Sequence, residues 1–81
     1  MSKNENLLKT ALAFEKARDR WQRARSDDDL NYKALRERLS HFGSQHPTVE
    51  TQREFCQVSS HDRQIAFEEY IHAIENLRKG V

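Results

Sequence analysis

Residues 43–47 read Gly-Ser-Gln-His-Pro, and this stretch decides the fold of the 81-residue chain. Gly43 follows Phe42, as a glycine does just past the end of a helix, where it adopts the left-handed conformation at little cost. Pro47 suits the first turn of a following helix, because its missing N–H is not needed there. Apart from Gly80, the chain has no other glycine or proline. The stretch therefore predicts one turn between two helices.

The outer ends of both helices carry signals of their own. Ser2-Lys3-Asn4-Glu5 has the form of a capping box, with Ser2 as the N-cap residue. At the other end, Arg78 and Lys79 precede Gly80, and cations are favourable in the last turn of a helix. A chain of this length allows one domain. We therefore predict an all-α fold, a single helical domain over 1–81, with two long antiparallel helices at about 3–42 and 47–79.

Apolar residues recur at a helical, coiled-coil-like period in both halves of the chain. A turn centred between residues 44 and 45 would place Trp21 opposite Phe67 and Ile71, and Phe14 opposite Ile74 and Leu77. Arg18, Arg25 and Asp28 interrupt the first stripe. Its apolar members are Leu7, Ala11, Phe14, Ala17, Trp21, Ala24, Tyr32, Leu35, Leu39 and Phe42, and those of the second are Val49, Cys56, Ala66, Phe67, Tyr70, Ala73, Ile74, Leu77 and Val81.

The helix boundaries have an alternative. Ser26-Asp27-Asp28-Asp29 is also a good helix start, with a serine N-cap followed by three acids, and Ser59-Ser60-His61-Asp62 is a weaker one. These starts would divide the chain into four short helices in a compact bundle. We favour the helical hairpin because the apolar stripe keeps its phase across residues 24–32, which a loop would not generally preserve. A kink near 26–29 is expected in either case.

The composition indicates that the chain shares its core with a partner. Hydrophobic residues make up 36% of the chain and charged residues 33%, which is little apolar material for a stable monomer of this size. A second, narrower apolar stripe lies off the hairpin seam. Two hairpins that bury it would form a closed four-helix assembly. We therefore predict a homo-oligomer, with a dimer favoured, whose protein interface contains Leu8, Leu12, Leu30, Val58 and Ile65.

The predicted function is a non-enzymatic protein–protein interaction module, which acts as an adaptor, small chaperone, inhibitor or assembly subunit. The alternative is a nucleic-acid-associated regulatory protein that uses the basic face of the first helix, with Lys16, Arg20 and Arg23 as contacts. Against it, the net charge is only +1, and the second helix carries an acidic face of Glu50, Glu54, Glu68 and Glu75. The opposed faces could equally set the register of an oligomer.

No residue pattern indicates catalysis, a cofactor or a metal. The candidate ligands His41, His46, Cys56 and His61 would be spread along a long hairpin, whereas a structural zinc site needs four converging ligands. Cys56 lies on the apolar stripe without the parts that activate a thiolate, so we expect no enzyme. No apolar run reaches the length of a membrane span, and a single cysteine fits a reducing compartment. The expectation is a cytoplasmic protein without membrane contact.

Overall fold

The computed structural model describes the backbone of residues 3–79 and the side chains of residues 4–79. Two helices account for almost all of it, α1 (Lys3–Phe42) and α2 (Pro47–Lys79), and they form a rod of 60 × 15 × 13 Å. The all-α hairpin and both helix boundaries are therefore as predicted. The predicted roles of Ser2, Gly80 and Val81 fall on residues outside the described part of the chain.

The turn between the helices works as its sequence indicates, with one addition. Gly43 has a φ of 79°, and its N–H donates to the carbonyl oxygen of Leu39 at 3.2 Å. The addition is His46, which acts as the N-cap of α2. Its Nδ1 accepts from the N–H of Thr48 at 3.1 Å, and its carbonyl oxygen accepts from the N–H groups of Val49 and Glu50. Phe42 stacks on the His46 ring and stays half exposed.

Small and polar side chains hold the seam between the two helices. The buried residues on α2 include Val49, Cys56, Ala66 and Ala73, and α1 contributes Ala24. Arg25 and Tyr32, which the apolar stripe places near the seam, are exposed. Spacings of three and four residues relate the buried and half-buried positions along each helix. The positions that follow this spacing are 10, 14, 17, 21, 24, 28, 31, 35 and 38 on α1, and 49, 52, 56, 59, 63, 66, 70, 73 and 77 on α2, and eight further half-buried positions lie beside them.

The helix α1 runs unbroken through Ser26-Asp27-Asp28-Asp29, so the chain does not form four short helices. The reason lies across the seam. The carboxylate of Asp28 accepts hydrogen bonds from α2, where Ser59 and Ser60 each approach its Oδ1 to 2.9 Å. A side chain occupied in this way does not cap backbone N–H groups of its own segment. The kink expected near 26–29 stays a prediction.

Aromatic residues fill the seam toward the end of the rod away from the turn. Trp21 lies against Phe67, as predicted, with ring centroids 5.7 Å apart. Trp21 also stacks on Tyr70 at 5.2 Å, and Tyr70 contacts Phe14 at 5.6 Å. The aromatic ring that contacts Phe14 is therefore that of Tyr70. Tyr70 lies about one helical turn before Ile74, which is one of the two residues predicted to lie opposite Phe14. All three of Phe14, Trp21 and Tyr70 are half-buried, since a two-helix seam covers only one side of a large ring.

Candidate protein interface

The seam leaves most of the large apolar side chains uncovered. Val49 is the only large apolar side chain among the described residues that is fully buried. Eleven of the other large apolar residues keep more than a third of their surface exposed. Monomeric proteins seldom expose large contiguous apolar patches. The eleven residues are Leu7, Leu8, Leu12, Leu30, Tyr32, Phe42, Phe55, Val58, Ile65, Phe67 and Ile71.

The rod has two long faces that both helices line, one on each side of the seam. We call the first the groove face, and its groove of about 510 Å³ is lined by Ala24, Asp27, Leu30, Asn31, Phe55, Val58, Ser59 and Asp62. We call the second the aromatic face, and its groove of about 480 Å³ is lined by Trp21, Asp28, Ser60, Arg63, Gln64 and Phe67.

The groove face brings together three exposed apolar side chains. Leu30, Phe55 and Val58 are 63%, 54% and 69% exposed, and they share one groove whose lining includes the buried Ala24. Leu30 and Val58 lie at the same height on the rod, so these two members of the second stripe do meet. Ile65 follows Val58 by seven residues, which places it on the same side of α2, one heptad farther from the turn.

Leu8 and Leu12 do not join this patch, although both are exposed. Steps of seven residues from Leu30 toward the N-terminus reach Arg23, Lys16 and Lys9, so the row that contains Leu30 continues as cations. Leu12 lies 18 residues before Leu30, or about 27 Å along the helix at ~1.5 Å per residue. Of the five predicted interface residues, Leu30 and Val58 line this groove, and the place of the other three in an interface stays a prediction.

Phe55 is a member of the patch that the sequence analysis did not identify as an interface residue. It lies three residues before Val58 and seven before Asp62, which also lines the groove. The signal is present in the sequence, because a residue three positions from an interface residue lies on the same side of a helix. This signal can be used only once Gln52 and Ser59 are assigned to the seam of α2. Both residues are polar, so the apolar pattern does not assign them there.

The basic residues of α1 have unequal surroundings. Arg20 reaches across the seam and forms ion pairs with Glu69 and with Asp62, the latter at 3.4 Å. The hydrogen bond that Arg20 donates to Glu69 and the negative charge of Glu69 raise the pKa of Arg20 above its ordinary value. Arg23 lines a shallow depression together with Asp19 and Asp27. Of the three residues proposed to contact nucleic acid, one is already occupied and one lies beside acids, which leaves Lys16 as an exposed cation.

A hydrogen-bond network crosses the seam at its middle. Asp28 is 4% exposed, and Arg63 Nη1 donates to its Oδ2 at 3.1 Å while both serines approach its Oδ1. Ser60 Oγ also lies 3.2 Å from the hydroxyl oxygen of Tyr32. Burial by itself raises the pKa of Asp28, but the hydrogen bonds from Ser60, Ser59 and Arg63 outweigh it and hold the pKa below its ordinary value. The carboxylate therefore stays ionised inside the seam.

The aromatic face combines aromatic rings with arginines. The guanidinium of Arg25 lies over Trp21, 5.3 Å from the ring centroid, and that of Arg18 lies 5.9 Å from Phe14. Contacts of this kind contribute roughly 0.5–1 kcal/mol at exposed sites. Phe67 and Ile71 are exposed beside these rings. Trp, Tyr and Arg are enriched at the centres of protein interfaces, and this face has that composition.

The described residues contain no group of three or more histidine, cysteine, aspartate or glutamate side chains placed to hold a metal. Cys56 is buried in the seam, and His61 is exposed. Neither α1 nor α2 offers an apolar stretch long enough to cross a membrane. Comparison of the chain with protein-family models, with curated proteins and with solved structures finds no match.

Proposed function

We propose that the protein is a non-enzymatic helical interaction module that self-associates through its groove face. One observation carries the proposal: Leu30, Phe55 and Val58 stand side by side and exposed, while the seam buries little beyond Val49 and small residues. Full burial of side chains of this size contributes about 1.5–3 kcal/mol each. A second copy on this face would supply the core that one hairpin lacks, as in other bundles built from two hairpins.

Self-association leaves the aromatic face free for a different partner. A rod of this kind binds other proteins by offering a helix face or a groove to an amphipathic segment. The functions that suit it are those of an adaptor, a small chaperone, an inhibitor or an assembly subunit. The nucleic-acid alternative has weaker support, because Glu69 and Asp62 already hold the guanidinium of Arg20.

The test compares Val58→Asp with its neighbour Gln57→Asp, in a measurement of solution mass by light scattering over a range of concentrations. Val58 lines the groove, whereas Gln57 is exposed outside its lining. We expect the parent and Gln57→Asp to be dimers, and Val58→Asp to be a monomer at concentrations where the parent is fully associated. A carboxylate at position 58 would have to be buried without a partner, which costs several kcal/mol.

Circular dichroism on the same samples shows whether each variant stays helical. Position 58 is an exposed helix site, so a loss of mass without a comparable loss of helix supports the interface. A parent that is monomeric at every concentration would contradict self-association. A dimer that survives Val58→Asp unchanged would contradict the choice of the groove face.

A further inference from the structure

We infer that the second copy lies along the groove face in the same direction as the first, with the twofold axis parallel to the rod. This inference rests on the proposed self-association and adds its geometry. In this arrangement α1 of each copy packs against α2 of the other, and every pair of neighbouring helices is antiparallel. Leu30 then faces the second copy's Val58 and Phe55, which lie at its own height.

The first argument is a row of cations on α1. Lys9, Lys16 and Arg23 are spaced by seven residues in line with Leu30, so they lie on one side of the helix. All three are exposed. None of them forms an ion pair with another of the described residues 4–79. The charges of Lys9 and Lys16 are therefore available to a partner on the side of the rod where Leu30 contributes to the groove, and Arg23 shares its depression with Asp19 and Asp27 without an ion pair to either.

The second argument is a row of acids on α2. Glu54, Glu68 and Glu75 are spaced by multiples of seven residues, with His61 at the intervening position. All three acids are exposed, and Glu75 has only a 3.8 Å contact with His72. Val58 and Ile65 belong to a neighbouring row of α2, at positions 51, 58, 65 and 72. The acidic row lies next to it on the helix surface, because each acid follows a member of that row by three residues. It lies on the side of α2 that faces away from the seam, beyond Val58 and Ile65 as seen from the groove.

The third argument is the register between the rows. The ion pair of Arg20 with Glu69 shows that Glu68 lies near the height of Arg20, between Lys16 and Arg23. Glu75, seven residues farther along α2, lies near the height of Ala13, between Lys9 and Lys16. Each acid is thus about 5 Å along the axis from a cation on either side, at ~1.5 Å per residue. Long side chains span that distance, so two copies aligned in the same direction have complementary rows of charge.

The opposite alignment keeps less of this complementarity. With the Leu30 patches superposed and the rods antiparallel, α1 would lie against α1 of the second copy. Arg23 would then face the second copy's Glu37, but Lys16, 14 residues from Leu30, would face the turn near Ser44 instead of an acid. The half of each rod away from the turn would then project beyond the contact. The number of charge pairs and the buried area therefore favour the same direction.

The area of the face suits a dimer interface. The rod measures 60 Å by 15 Å, so one long face covers about 900 Å². A stable complex of standard size buries about 800 Å² on each partner. Contact along the whole rod reaches this value, whereas contact over the turn half alone does not.

The experiment mixes two charge-reversed proteins. One is Lys16→Glu with Arg23→Glu, and the other is Glu68→Lys with Glu75→Lys. Each alone places like charges along the interface, and we expect its dimer dissociation constant to rise at least tenfold. An equimolar mixture should form a heterodimer of parental affinity, because both contacts then join opposite charges. Arg36→Glu is the matched control, since Arg36 is an exposed cation of α1 outside the grooves.

The outcomes separate the geometry from the proposed function. Recovery of the dimer on mixing, with Arg36→Glu unchanged, supports the same-direction arrangement. A parent dimer whose reversed variants weaken but do not recover on mixing overturns this arrangement and leaves self-association in place. Reversed variants with parental affinity overturn it too, and a monomeric parent overturns both.

Discussion

At the residue scale, Asp28 is the side chain on which the seam depends most. It is a nearly buried carboxylate at the middle of a core row, and its hydrogen bonds to α2 keep it ionised. From the sequence pattern alone, Asp28 interrupts the apolar stripe of α1. The structure shows instead that Ser59, Ser60 and Arg63 provide its partners. Whether a polar residue interrupts a seam or belongs to it is decided by residues some thirty positions away, which local sequence patterns do not reveal.

The lowered pKa of Asp28 predicts a pH dependence of stability. The ionised carboxylate stabilises the fold fully above the ordinary aspartate pKa of about 3.9, and that stabilisation is lost as pH falls through the lower folded-state pKa. We expect Asp28→Asn to reduce the free energy of unfolding by about 1–3 kcal/mol at pH 7. The difference from the parent should shrink below pH 4. Urea unfolding at fixed protein concentration measures both.

Asp29→Asn is the control for this substitution. Asp29 is exposed, and its contact with the same Arg63 is longer, at 3.6 Å. We expect a change below about 1 kcal/mol, as for other exposed ion pairs. If Asp28→Asn behaved like Asp29→Asn, the buried network would contribute nothing measurable to the stability of the seam.

At the element scale, the helix boundaries could be predicted and the seam positions only in part. Gly43 and Pro47 determine where the helices end and begin, through backbone constraints that act within a few residues. The seam positions are harder to predict. Ala24 and Asn31 lie in the seam, whereas the spacing of the large apolar residues favours Arg25 and Tyr32 there. Small side chains let two helices approach closely, and their contribution depends on the facing helix. The sequence does not indicate His46 as an N-cap, because Ser, Thr, Asp and Asn are the residues preferred at that position.

The polar network at the middle of the seam yields a prediction about the packing of the two helices. Replacing Asp28, Ser60 and Arg63 together by Leu, Ala and Leu removes the buried carboxylate and two of its donors. Ser59 keeps its hydrogen bond to the carbonyl oxygen of Cys56, and Tyr32 is exposed to solvent. We expect the free energy of unfolding to equal or exceed that of the parent, because apolar replacement of buried ionic groups is often neutral or stabilising by about 1–4 kcal/mol.

Arg63→Leu alone provides the comparison, since it leaves the buried Asp28 without its cation. We expect this single variant to be less stable than both the parent and the triple variant in urea unfolding. A triple variant less stable than Arg63→Leu would show that the network contributes more than an apolar seam can replace.

At the scale of the whole molecule, the need for a partner stays a prediction, and the surface that would meet it could be predicted only in part. Low apolar content indicated a shared core, and Leu30 with Val58 does lie in one groove. Leu8 and Leu12 are exposed but do not line this groove. Phe55 completes the patch and becomes visible only once Gln52 and Ser59 are recognised as seam residues.

The central claim is that one hairpin does not complete its own core and that a second copy does. The most direct test is the thermal unfolding midpoint, followed by circular dichroism, as a function of protein concentration. Folding coupled to dimerisation makes the midpoint depend on concentration by mass action. We predict a midpoint that rises steadily over a hundredfold range of concentration, with a smaller rise for Val58→Asp. A midpoint that is the same at every concentration would show that the hairpin folds without a second copy, and would contradict the claim.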